Sequence, residues 1–122
     1  MARILVIDDD EIMNEMIVQL LSEAGYEAEG ARDGGRALKL LEAKSFELIV
    51  TDIVMPESDG LETILAIRKQ NKAIPIIAVS GGGRIGPEQY LLMAREFGAD
   101  YVFQKPFEAE PFLAAVRACL SA

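Results

Sequence analysis

Apolar and polar positions along this chain follow two different rhythms. Ile4-Leu5-Val6-Ile7, Leu48-Ile49-Val50, Ile76-Ile77-Ala78-Val79 and Tyr101-Val102-Phe103 are short runs with hardly a polar interruption. Such runs read as strands, and near-continuous apolar strands belong to sheets covered on both faces. The predicted strands span 3–7, 46–51, 75–79 and 101–103, with a more polar fifth at 26–31 that suits a sheet edge. Between them apolar residues recur at helical spacing. Asp10 can cap a helix from Glu11 carrying Met13, Met16, Ile17, Leu20, Leu21 and Ala24, and Gly25 ends it. Both methionines are read as core filler.

Asp33 caps a second helix with Ala37, Leu38, Leu40 and Leu41 on its apolar face. Ser58-Asp59-Gly60 opens a third, with Leu61, Ile64, Leu65 and Ile67, fading at Asn71. Pro87 fits the first turn of a fourth, which carries Tyr90, Leu91, Met93, Ala94 and Phe97. A fifth covers Glu108 to about Leu120, where Pro111 is tolerable because it falls in the first turn. Five strands alternating with five helices predict an α/β fold with a parallel sheet between helical layers. Right-handed crossovers restrict the strand order without deciding it.

Composition narrows the setting. The 122 residues suffice for one domain, 1–122, with a single core, and no apolar run is long enough to span a bilayer. No basic-then-apolar segment precedes the first strand, so no secretory signal is expected. The single cysteine, Cys119, has no internal partner and suits a reducing compartment, which gives a cytoplasmic reading. Twelve basic residues against twenty acidic ones give a net charge of −8, which disfavours direct nucleic-acid binding. Absence of histidine excludes histidine-based catalysis and a histidine phosphodonor within the chain.

The candidate chemistry lies where the strands end. The first runs into Asp8-Asp9-Asp10, the third into Asp52, the fourth into Ser80, and the last leads through Gln104 to Lys105. In a parallel sheet these ends share one edge, so the groups converge. Asp10 serves as helix cap. Asp8, Asp9 and Asp52 repel one another unless they take up protons or bind a cation. Carboxylates without His or Cys are hard ligands suited to Mg²⁺, with Mn²⁺ as a substitute. Lys105 offers a point charge and Ser80 a hydroxyl donor. Such a set suits phosphoryl transfer to a carboxylate.

From ILVIDDD through LIVTDIVMPESDG and IIAVSGGG to GADYVFQKPF, the chain resembles the receiver domain of two-component response regulators, in the chemotaxis-type, single-domain form. The resemblance implies a flavodoxin-like doubly wound sheet of order 2-1-3-4-5. It makes Asp52 the phosphoacceptor and Asp8 and Asp9 the metal-holding acids, Asp9 being the expected direct ligand. Val54 would supply a backbone carbonyl to the metal, and Ser80 and Lys105 would contact the phosphoryl group. The implied donor is a histidine kinase or phosphotransfer protein. The implied output is a protein contact on the face of the fourth helix, fifth strand and fifth helix, from a monomer or weak homodimer. A slow autodephosphorylation, rather than turnover of a substrate, would reset it.

Two departures accompany the resemblance. Val102 stands three positions before Lys105, where the family often has an aromatic switch residue, and Tyr101 falls on the opposite strand face. Gly81-Gly82-Gly83 opens a longer segment after Ser80, without the Gly-Lys-Ser/Thr of a nucleotide loop. Other functions stay in view. A degenerate receiver would bind a partner without phosphorylation. A dehalogenase-type phosphatase also uses an aspartyl nucleophile, but needs an Asp where Val54 stands. A flavodoxin-type flavin carrier would suffer repulsion between these acids and the flavin phosphate.

Overall fold

The strand-forming runs pair as one five-stranded parallel sheet in the order β2-β1-β3-β4-β5. They are β1 (Arg3–Ile7), β2 (Glu27–Ala31), β3 (Leu48–Asp52), β4 (Ile76–Ser80) and β5 (Tyr101–Gln104). This computed structural model describes residues 2–53, 60–70, 73–80, 96, 98–104 and 107–121. Among them are four helices: α1 (Glu11–Glu23), α2 (Gly34–Ala43), α3 (Gly60–Gln70) and α4 (Ala109–Ser121). The helix expected from Pro87 falls almost wholly outside the described residues, as do Val54, Gly81–Gly83 and Lys105. The sheet order and parallel sense are those implied by the family resemblance.

Alternation along each strand divides the core in two. Leu5, Ile7, Ile49, Ile76 and Ala78 pack with Ala37, Ile64 and Ile67 on the α2–α3 side. Ile4, Val6, Leu48, Val50, Ile77 and Val79 pack with Ile17, Leu21, Phe112 and Val116 on the α1–α4 side. Every side chain of β3 and β4 is buried, which explains their uninterrupted apolar sequence. β2 is half polar because it lies at an edge, where Glu27 pairs with Arg3 at 3.3 Å and Glu29 with Lys44 at 3.0 Å. Charged side chains there discourage strand addition from another molecule.

The capping expectations hold. Asp10 Oδ1 accepts from the Ile12 and Met13 amides at 3.0 and 3.2 Å, and Asp33 Oδ1 accepts from Arg36 N at 2.8 Å. Each satisfies amides that lack partners in the first turn. Gly25 takes φ +99, the left-handed conformation that ends α1. Strand ends differ by a residue or two from the sequence reading: β3 begins at Leu48 rather than Phe46 and extends through Asp52.

Two helix faces also need correction. On α1, Ile17 and Leu21 are buried and Met13 and Leu20 partly so, whereas Ala24 is exposed and Met16 is 58% exposed. Met16 is therefore not core filler: it lines an open groove with Met13, Leu20 and Phe107. On α3, Leu65 is 46% exposed while Thr63 is buried. With Ile64 and Ile67 facing the sheet, the helical period carries Leu65 outward and brings Thr63 against α2, beside Gly34.

Candidate functional site: an acidic edge of the sheet

Register brings the strand ends level. Ile7 lies opposite Thr51, so Asp8, one residue on, reaches the height of Asp52. Asp52 in turn lies opposite Val79, which places Ser80 one step beyond it, and Ser80 lies opposite Gln104. Lys105 would follow Gln104 but is outside the described residues. Carboxylate oxygens of Asp8, Asp9 and Asp52 all fall within 4.8 Å of one another. Asp8 is 1% exposed, Asp52 5% and Ser80 0%, while Asp9 is exposed. Two acids are thus seated in the protein and a third faces solvent, which suits a cation that keeps some of its waters.

Local hydrogen bonds fix this edge. Asp8 N donates to Ala31 O at 3.0 Å, and the Asp8 carboxylate accepts from Asp10 N at 3.0 Å. On the neighbouring strand Ile53 N donates to Val79 O at 3.0 Å and the Thr51 hydroxyl to Asp52 O at 3.1 Å. Asn14, on the second turn of α1, donates from Nδ2 to both Asp8 O and Ala31 O at 3.0 Å. Reading of the sequence passed over Asn14. Its signal was slight: a polar residue beside the apolar stripe of α1, with Gly30 in a strand that a backbone or side chain approaches closely.

Val102 packs on the α2–α3 side, and Phe103 on the α1–α4 side against Phe107 and Phe112. Tyr101 shares the strand face of Phe103 and is 40% exposed, so it is not a packed core residue. Cys119 is half-buried, and burial, helped by the charge of Asp100, pushes its thiol up to about 11. A raised thiol disfavours the thiolate, the nucleophilic form.

The sequence model of the response regulator receiver domain matches residues 4–117. The response regulator MprA of Mycolicibacterium vanbaalenii is 36% identical over 118 residues, covering 97% of this chain and 50% of that protein. The chain thus spans about half the length of the curated relatives it matches. Among solved structures, the chemotaxis protein CheY4 of Vibrio cholerae superposes with a TM-score of 0.89 at 33% identity, covering 98% of this chain and 99% of that one. The response regulator protein TrrA of Thermotoga maritima, solved in complex with Mg²⁺–BeF, gives 0.86 at 32%, covering 98% and 100%. A match over nearly the whole chain, on the fold its strands build, shows that the chain belongs to the response regulator receiver domain family.

Proposed function

We propose that this receiver domain is a phosphoacceptor switch in which Asp52 takes a phosphoryl group from a phosphohistidine of a histidine kinase or phosphotransfer protein. The observation that carries this reading is the cluster of Asp8, Asp9 and Asp52 at the carboxyl edge of the sheet. Three carboxylates without His or Cys fit Mg²⁺, or Mn²⁺ in its place, and Asp8, Asp9, Asp52 and the Val54 carbonyl would hold it. Bound there, the cation would offset the charge of the incoming phosphoryl oxygens. The Mg²⁺–BeF complex of the Thermotoga maritima relative supports the assignment.

A carboxylate oxygen of Asp52 attacks phosphorus, the P–N bond to the donor imidazole breaks, and its electron pair stays on that ring. Ser80 donates its hydroxyl to a phosphoryl oxygen and Lys105 balances the added charge. Engagement of these two groups biases a pre-existing equilibrium between conformations. Water then hydrolyses the acyl phosphate slowly. The output passes to a protein partner through the face of the helix expected from Pro87, β5 and α4. Residues 1–122 act as one such domain, in the cytoplasm. Among the described residues no helix is long and apolar enough to cross a membrane.

Phosphotransfer profiling against a panel of autophosphorylated kinases tests the reading. A cognate donor should label the wild type and leave Asp52→Asn unlabelled. An acid-labile label that persists in Asp52→Asn would place the acceptor elsewhere.

A further inference from the structure

We propose that Asn14, seated in a notch left by Gly30, is a positioning residue that holds the Asp8 turn in the shape required for cation binding. The proposal rests on the Mg²⁺ site described above and adds two residues to it.

At least three hydrogen bonds tie Asp8 in place. Its amide donates to Ala31 O, its carboxylate accepts from Asp10 N, and its carbonyl accepts from Asn14 Nδ2, each at 3.0 Å. The same Nδ2 reaches Ala31 O at 3.0 Å. One amide group on α1 therefore grips the ends of both β1 and β2, and the acid between them is held between these bonds. Asp10 caps α1, and its carbonyl accepts from Asn14 N at 2.9 Å, so the turn and the helix move as a unit.

Gly30 makes the grip feasible. A Cβ built at residue 30 would lie 2.1 Å from Asn14 Oδ1 and 3.0 Å from its Cγ. The three heavy atoms nearest to that Cβ all belong to the Asn14 side chain, and Gly30 sits in the extended backbone of β2. An alanine there therefore suits the strand and collides first with the Asn14 side chain. An open cleft of about 200 Å³ lined by Asp8, Glu11, Asn14, Glu15 and Gly30 lies alongside and can receive it. Water in that cleft can satisfy the abandoned carbonyls. What Asn14 adds over water is a fixed position for Asp8, and this separates its role from mere burial of polar groups.

The test is a MgCl₂ titration by calorimetry on the whole chain, with thermal unfolding in EDTA beside it. Partners that orient metal ligands commonly change affinity about 10- to 100-fold. Asn14→Ala and Gly30→Ala should each weaken Mg²⁺ binding by about tenfold while the metal-free unfolding midpoint of Gly30→Ala stays near that of the wild type. In the double variant the new methyl group meets no Oδ1, so its affinity should equal that of Asn14→Ala alone. Asn14→Leu, which keeps bulk but has no donor, should behave like Asn14→Ala. Wild-type affinity in folded Gly30→Ala or Asn14→Leu would overturn the proposal, as would additive losses in the double variant. A wild-type chain that binds no Mg²⁺ would overturn the metal reading itself along with it, an outcome distinct from the other two.

Discussion

Replacing Asp52 by asparagine should stabilise the metal-free protein. The substitution keeps the shape of the side chain and removes one charge from a cluster whose oxygens lie within 4.8 Å of one another. Asp8 and Asp52 are nearly excluded from solvent, at 1% and 5% exposure. At an effective dielectric of ~20, two like charges at that spacing repel by about 3 kcal/mol. Both acids have further partners in the fold, and solvent reaches Asp9, so part of the repulsion is offset. A net gain of about 1–2 kcal/mol is expected, equivalent to roughly 3–8 °C in the unfolding midpoint of a domain this size. Calorimetric melting in EDTA and again in saturating MgCl₂ measures it. In EDTA the variant should melt above the wild type. With Mg²⁺ the wild type should rise by about 3 kcal/mol at a hundredfold excess over its dissociation constant, and the variant by less. A variant that melts below the wild type in EDTA and responds fully to Mg²⁺ would refute the electrostatic reasoning.

Three further outcomes follow from other parts of the fold. Phe112 is 0% exposed and packs on Phe107 and Phe103 with centroids 4.8 and 5.7 Å away; Phe112→Ala should cost about 3–5 kcal/mol in urea unfolding. The Arg68 guanidinium donates to Ile74 O and Gly98 O and lies 3.5 Å from Asp100 Oδ2. Arg68→Ala should cost about 1–3 kcal/mol, with little recovery in Arg68→Lys because one ammonium cannot span these acceptors. Cys119, raised from 9.0 to about 11, has its thiolate suppressed below pH 9, so alkylation at pH 8 should run about 100-fold slower than for a free thiol and accelerate toward pH 11. Equal rates in native and urea-unfolded protein at pH 8 would contradict that.

How much was legible in the sequence depended on how local each signal was. β1, β3 and β4 could be read because burial on both faces imposes an uninterrupted apolar run, and Asp10 and Asp33 because a cap acts within three residues. Parallel strand ends then placed Asp8, Asp9 and Asp52 together before any distance was known. Helix faces were less legible where apolar residues were plentiful. Met16 and Leu65 fit an apolar stripe on paper, but the sheet accepts only the side of each helix that carries Ile17 and Leu21, or Ile64 and Ile67. Asn14 was hard to read for another reason. Its partners Asp8 and Ala31 lie at the ends of two different strands, and the space it occupies is set by the lack of a side chain at Gly30. Pairing across elements of that kind leaves no periodic trace in the chain.

The acidic edge is proposed to accept a phosphoryl group at Asp52 with the help of a divalent cation. The most direct measurement is exposure to acetyl phosphate, with Mg²⁺ or with EDTA, followed by borohydride trapping and peptide mapping by mass spectrometry. One modified position, Asp52, is expected in the presence of Mg²⁺ and none in EDTA or in Asp52→Asn. Modification at another carboxylate, or at Asp52 regardless of Mg²⁺, would contradict it.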